Sequence, residues 1–266
     1  MTDSLPTPQQ RRVAQAVITE EGSRRRHLVV HLSGAHAYGF PSRDSDLDLK
    51  AVHIDRSCDL LGLNPRNTTA NRLELIEDVE IDYTSNELST VVRGLLSGDG
   101  NMLERVMSAQ PFYAEHSVLE GLRAVVPGAL SKRYYRHYRG FSGNQRRRLL
   151  EGQPRVKRLL YVLRTTLTGA HLLREGVCEP NLVALAGRYG FDEVPELVAL
   201  KLGAETGALE GKWLEQMDGL LEHAEQTLEH ALELSSLPEE PTPQGREAIE
   251  TWLVTLRRDN LESELG

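Results

Sequence analysis

Apolar positions along this chain follow two spacings in its first half, and each spacing predicts a different element. Residues 8–21 (PQQRRVAQAVITEE) carry apolar side chains at helical spacing, and the basic turn after them leads into His27–Leu32, an apolar run that predicts a short buried strand. A glycine-rich turn follows. Leu47, Leu49 and Ala51 then alternate with Asp46, Asp48 and Lys50, the period of a strand with one face on a core. A third strand is expected near Val79–Tyr83, with Val79, Ile81 and Tyr83 on one face and Asp78, Glu80 and Asp82 on the other. Thr84, with Glu87 three residues on, reads as a capping box, so a helix should start just after Asp82. It should run through Leu88, Val91, Val92, Leu95 and Leu96 and end at the glycines of residues 97–100.

From about Ser108 the strand signals fade. Long amphipathic segments near residues 131–150, 155–175 and 205–235 make the second half helical, and the proline-rich stretch 237–245 (LPEEPTPQG) reads as a linker before one more helix at 246–258 and an acidic tail. The expected class is α+β: a small mixed sheet with helices, followed by a helical domain. The expected boundaries are 1–110 for the sheet domain, 111–236 for the helical domain and 237–266 for linker, helix and tail.

Composition narrows the class further. Hydrophobic residues are 39% and charged residues 26% of the 266, ordinary values for a globular chain. No apolar run approaches the roughly 18–20 residues that cross a bilayer, and the N-terminus lacks a signal-peptide core, so a cytoplasmic protein without a membrane partner is expected. Cys58 and Cys178 are too few and too far apart for a disulfide framework or a thiolate metal site, and are expected to be packing residues. The net charge of −8 is uneven. Residues 131–174 hold twelve Lys and Arg against one acid, Glu151, so that segment is strongly basic within an acidic chain. Such asymmetry predicts an anionic partner.

The candidate chemistry lies in Ser33-Gly34-Ala35-His36-Ala37-Tyr38-Gly39, five further residues, and Ser45-Asp46-Leu47-Asp48-Leu49. On a strand Asp46 and Asp48 leave the same face with Cα atoms about 7 Å apart, within reach of one ion cluster. Hard carboxylate oxygens suit Mg²⁺ or Mn²⁺. Two such ions about 3.5–4 Å apart can clamp the attacking and leaving oxygens of an in-line displacement at phosphorus. Asp82 has the parity to supply a third carboxylate, with Glu80 in reserve. Gly34 and Gly39 are expected to let the backbone approach an anion, with amides at a following helix start holding phosphate oxygens. A lone Asp-x-Asp is weak, since solvated strands often carry one. The glycine turn, the spacing and the later acid together are far more specific.

At these residues the chain resembles the DNA polymerase beta nucleotidyltransferase superfamily, whose signature is Gly-Ser, a short spacer and Asp-x-Asp. Within it the resemblance is closest to the YcgL or RlaP type of predicted nucleotidyltransferases. Residues 86–110 (NELSTVVRGLLSGDGNMLERVMSAQ) and 155–176 (RVKRLLYVLRTTLTGAHLLREG) extend the likeness over about residues 27–190. The resemblance implies Asp46, Asp48 and Asp82 as metal ligands and catalytic acids of a two-ion Mg²⁺ or Mn²⁺ site. It implies a nucleoside triphosphate substrate, ATP being the expected one, held near Ser33, Gly34 and Ser45. Lys157 or Arg164 would touch the triphosphate, against the plain alternative of a solvated helix charge. The superfamily's serine is replaced by Ala35, and Ser33 is the substitute hydroxyl at hand.

The basic segment interleaves Tyr134, Tyr135, Tyr138, Phe141 and Tyr161 with its arginines. That pattern suits a single-stranded nucleic acid, although helices also alternate such residues to cover a core edge. The leading expectation is transfer of a nucleoside monophosphate to a hydroxyl, an RNA or tRNA 3′ end foremost. A nucleotide-sensing or partner-binding module with little turnover is the alternative, and no feature names a protein partner. His36 reads as either a phosphate contact or, more often for such a position, a residue packed beside the turn, and Glu104 as either a support for the site or a capping and salt-bridging residue.

Overall fold

The structure, a computed structural model, describes residues 6–42, 45–61, 69–203 and 207–265. The chain divides into two compact units. The first is residues 1–36, 43–130 and 241–266, and the second is 37–42 with 131–240.

The first unit is built on a five-stranded mixed sheet in the order β3-β4-β2-β1-β5. Its strands are β1 (Arg26–Leu32), β2 (Leu47–Ile54), β3 (Thr69–Ile76), β4 (Val79–Glu87) and β5 (Tyr113–Ala114). β2 and β4 run parallel, and the other pairs are antiparallel. Helix α1 (Pro8–Gly22) covers one face, as its apolar spacing predicts, and a Thr7–Gln10 capping box starts it. Val13, Ala14, Val17 and Ile18 pack there on Val30, Leu47, Leu49, Ala51, Val79, Ile81 and Tyr83. The odd-numbered residues of β2 and β4 are therefore committed to the core, and Asp48, Lys50 and Asp82 leave the opposite face.

Three expectations need correction here. β4 does not stop at Tyr83: Thr84–Glu87 continue the strand, paired with Lys50–His53 on one side and Thr69–Asn71 on the other. The Thr84–Glu87 pattern is thus no capping box. Glu87 itself caps α4 (Leu88–Ser97) by accepting from the Ser89 amide, and α4 ends at Gly98 in the left-handed region. Polar Ser85, Asn86 and Glu87 are buried yet satisfied, by His53, Arg105 and Arg257 respectively. Second, β3 was not anticipated. It is an edge strand joined to β4 by a two-residue turn, Glu77-Asp78, with both residues at positive φ as a type I′ hairpin needs.

Third, the helix expected at 246–258 is present but longer, and it takes in the residues expected to form an acidic tail. Helix α12 (Pro243–Leu265) belongs to the first unit, beside α3 (Ser57–Leu61) and α6 (His116–Val125). Its Gly245 meets Gly128 backbone to backbone, so close that a Cβ on Gly128 would lie 2.6 Å from the Gly245 Cα. Glu264 receives the Ser57 and Cys58 amides at 3.0 Å each and caps α3. Residues 111–130 likewise belong to this unit rather than to the helical one: β5 pairs with β1, and α6 lies near β1 and α5 (Gly100–Met107).

The second unit is helical. α8 (Val156–Glu175) is buried along most of its length and packs with α7 (Tyr134–Leu150) and α11 (Lys212–Glu233), while α9 (Leu182–Ala186) and α10 (Val194–Gly203) complete the layer. Tyr134 and Tyr138 are fully buried and Tyr135, Phe141 and Tyr161 half-buried. The tyrosines thus cover a core edge, and no row of open stacking platforms is formed. Among the described residues no helix is long and apolar enough to cross a membrane.

Candidate active site

Asp48 and Asp82 stand opposite each other in the β2–β4 register. Parallel neighbouring strands lie about 4.8 Å apart, so their carboxylates share one patch of the open face. Asp46 lies just ahead of β2, half-buried. Its approach is fixed from α1, where the Gln10 side chain donates to the Ser45 carbonyl at 3.1 Å. Thr84 Oγ1 donates to Asp82 Oδ1 at 3.4 Å.

Burial, then the negative charge of Asp46 and that of Asp82, pushes the Asp48 carboxyl up to about 6, against the opposing pull of Lys50. The register brings Asp48 and Asp82 together, and Asp46 acts on Asp48 through its charge. Glu80 is exposed on the turnward end of β4.

Lys50 is the residue that sequence reasoning passed over. It sits two places after Asp48, on the same face, and its Nζ lies 2.9 Å from Asp82 Oδ2 and 3.6 Å from Asp48 Oδ1. The signal was present in the alternation Asp46, Asp48, Lys50. Arg105 of α5 is a second such residue. Buried, it donates to the Ala51 carbonyl at 3.2 Å and to the Asn86 side chain, so α5 is tied to the two strands that carry Asp48 and Asp82. Glu104 is buried beside it and its charge is felt by Arg105.

The glycine turn is only partly what was expected. Gly34 opens the four-residue helix α2 (Gly34–Ala37) at φ +64°, and a Cβ there would fall 2.0 Å from Asp48 Oδ2. Its glycine is explained by the Asp48 carboxylate lying against its Cα. Ser33 anchors the same approach, donating its amide to the Asp48 carbonyl at 2.8 Å. Gly39 belongs to the second unit, where a Cβ would meet Asn181 Oδ1 at 2.3 Å. That close packing accounts for a glycine at this position. Ala35 is buried.

Lys157 and Arg164 lie on α8 of the second unit. Lys157 is exposed, whereas Arg164 is 3% exposed with its guanidinium 3.7 Å from the Tyr38 ring centroid, a cation–π contact inside the unit. Arg164 therefore serves packing rather than standing as a solvated charge.

As donors, the carboxylates fit a hard divalent ion. In the arrangement present, the Lys50 ammonium bridges two of them. Among the described residues no group of three His, Cys, Asp or Glu side chains is gathered tightly enough to enclose a metal. A separate cavity of about 680 Å³ opens at the other end of β1 and β2, where Arg24 and Arg25 are paired with Glu21 and Arg26 with Glu115.

The site is thus a pair of aspartates opposed across adjacent parallel strands of a mixed sheet, with a glycine turn lying against one of them. Residues 10–255 match the RlaP family, described as the RNA repair pathway DNA polymerase beta family, and the chain belongs to it. It is also similar to YcgL, an uncharacterized protein of Bacillus subtilis (strain 168), at 26% identity over 150 residues. That match covers 56% of each chain, so it spans about half the length of this relative. A crystal structure of a nucleotidyltransferase-like protein from Exiguobacterium sibiricum 255-15 aligns over 94% of this chain and 80% of its own, at 11% identity and a TM-score of 0.34.

Proposed function

We propose that this protein transfers a nucleoside monophosphate from a nucleoside triphosphate to a hydroxyl of an RNA 3′ end, with Asp46, Asp48 and Asp82 as its essential acids. The observation that carries the reading is the register match of Asp48 with Asp82 beneath the field of Asp46. Family membership supports the RNA acceptor, and ATP is the first donor to try. In such a transfer the hydroxyl oxygen bonds to the α-phosphorus, the bond to the β-phosphate oxygen breaks, the hydroxyl proton is lost and pyrophosphate leaves.

Mg²⁺ or Mn²⁺ held at Asp48 and Asp82, with Asp46 adding its charge, would supply charge neutralisation at phosphorus. The chain's own part is positioning. β2 and β4 fix the two carboxylates in register, Gln10 holds the entry to Asp46, and Thr84 orients Asp82. Gly34 keeps the backbone flush against Asp48, and Ser33 and Ser45 would supply hydroxyls to an incoming phosphate chain. Desolvation and like charge leave Asp48 poorly satisfied, a condition that an arriving cation relieves.

Incubation with α-labelled nucleoside triphosphates, Mn²⁺ and mixed RNA tests the proposal. Label should pass to RNA 3′ ends and be lost in Asp48→Asn. Failure of transfer to any acceptor, with the protein folded, would remove it. A second reading, nucleotide sensing without turnover, is favoured by Ala35, which lacks the superfamily's serine hydroxyl. It expects nucleotide binding by calorimetry without pyrophosphate release.

A further inference from the structure

We propose that Lys50 is a resident counter-cation of the Asp48–Asp82 pair, and that a divalent ion must displace its ammonium to bind there. The inference rests on reading these carboxylates as the metal end of the site. Lys50 follows Asp48 by two residues on β2 and therefore leaves the strand on the same face. Its register partner, Thr84, follows Asp82 by two residues on β4. The stem thus leans back over both acids. Nζ reaches Asp82 Oδ2 at 2.9 Å, Asp48 Oδ1 at 3.6 Å and the Asp82 carbonyl at 3.5 Å.

One ammonium touching two carboxylates takes the position in which a hard cation would be held. The Lys50 side chain is 18% exposed, so solvent screens these contacts only partly. Without it, Asp48 and Asp82 would repel one another across a strand spacing, and the metal-free fold would have to tolerate both ionised. With it, the fold is electrostatically supported before any metal arrives, at the expense of metal affinity. A lysine suits the task because its charge is a point on a flexible four-carbon stem, which can swing aside without moving the strand. An arginine fork would bind the pair through several fixed hydrogen bonds and yield it less readily.

Mn²⁺ binding to the metal-free protein, read by electron paramagnetic resonance of free Mn²⁺, tests this without reference to activity. Lys50→Met removes the competing charge and should tighten Mn²⁺ binding by roughly tenfold or more, because charges about 4 Å apart in a partly buried site interact strongly. Lys50→Arg keeps the charge and should bind no tighter than wild type. Circular dichroism melting confirms that each variant is folded. Adding Asp82→Asn to Lys50→Met should abolish the tightening, and its survival would overturn the proposal. Wild-type binding that is lost in Asp48→Asn but unchanged or weaker in Lys50→Met would overturn the counter-cation role and leave the metal reading standing. Absence of Mn²⁺ binding in wild type and variants alike would overturn both.

Discussion

The acids of β2 and β4 and the basic residues of α7 and α8 are the two charged regions that stand out in this chain, and the folded protein treats them oppositely. On the sheet, Asp48 and Asp82 stand opposite each other with Lys50 touching both, and Asp48 is held well above its ordinary range. In the helical unit several of the basic residues are settled internally. Glu225 of α11 takes both Arg139 and Arg146, Glu239 and Glu240 take Lys132 and Arg133, and Arg164 is stacked on Tyr38. Charge that neighbours neutralise helps to build a fold. Charge held close to its like at the cost of solvation is what a site keeps for a ligand.

The sharpest way to break this contrast is to neutralise the acids. Asp48→Asn and Asp82→Asn should each lower nucleotidyl transfer by on the order of 10³-fold, measured as initial label transfer at saturating triphosphate. Stability should move the other way for Asp48. A carboxyl whose folded value lies above its unfolded one loses stability as pH rises through the interval from 3.8 to about 6, and an asparagine carries no such loss. In metal-free buffer Asp48→Asn should therefore gain about 1–2 kcal/mol in urea unfolding at pH 8 and nothing below pH 4. Equal loss of activity and stability would mark Asp48 as structural.

Next in size is Gly34→Ala. The added Cβ would meet Asp48 Oδ2 at 2.0 Å from a backbone at φ +64°, so a loss of about 2–4 kcal/mol is expected, with activity falling alongside it. Gly152→Ala, in the second unit with open space around its Cβ position, serves as the control for positive φ alone.

Acid sensitivity should also reside mainly in the first unit. Burial holds His27 and His53 near 4 and His31 near 3. Above pH 6.5 all three are neutral whether folded or unfolded and contribute nothing. Between 6.5 and about 4 the unfolded chain takes up protons that the fold refuses, so stability falls as pH falls. Replacing His27 by Gln, which can donate to or accept from the Tyr83 hydroxyl 2.8 Å away, should flatten that slope in urea titrations from pH 7 to 4.5.

The smallest effect is expected from Glu225→Gln. It loosens two half-exposed ion pairs and should cost less than about 1 kcal/mol by thermal melting. A loss of several kcal/mol would show that the basic segment depends on that acid far more than paired surface charge allows.

The elements legible in the sequence are those in which one periodicity dominates. α1, β1 and β2 read directly, and the parity of Val79, Ile81 and Tyr83 placed Asp82 on the open face. Other parts were hidden for physical reasons. β3 is an edge strand with Leu73 and Leu75 exposed and Arg72 and Glu74 among them, a pattern that protects an edge rather than announcing a strand. Thr84–Glu87 looked like a helix start because strand residues that bury polar groups resemble a cap in composition. The C-terminal helix was undervalued because its seat is the Gly245–Gly128 approach, which carries no hydrophobic signal. The tyrosines of α7 resembled stacking platforms until packing placed Tyr134 and Tyr138 in the core. At the site, the aspartates were legible and the Asp48 contact at Gly34 was not, since sequence spacing gives a glycine its freedom but not its neighbour.

Crystals soaked with a nonhydrolysable triphosphate and Mn²⁺ would show whether Asp48 and Asp82 form the cation and phosphate end of the molecule. An anomalous manganese peak is expected within ligand distance of both carboxylates, with Lys50 turned away and the triphosphate beside Gly34. Manganese bound elsewhere, with Lys50 still bridging the two aspartates, would contradict that role.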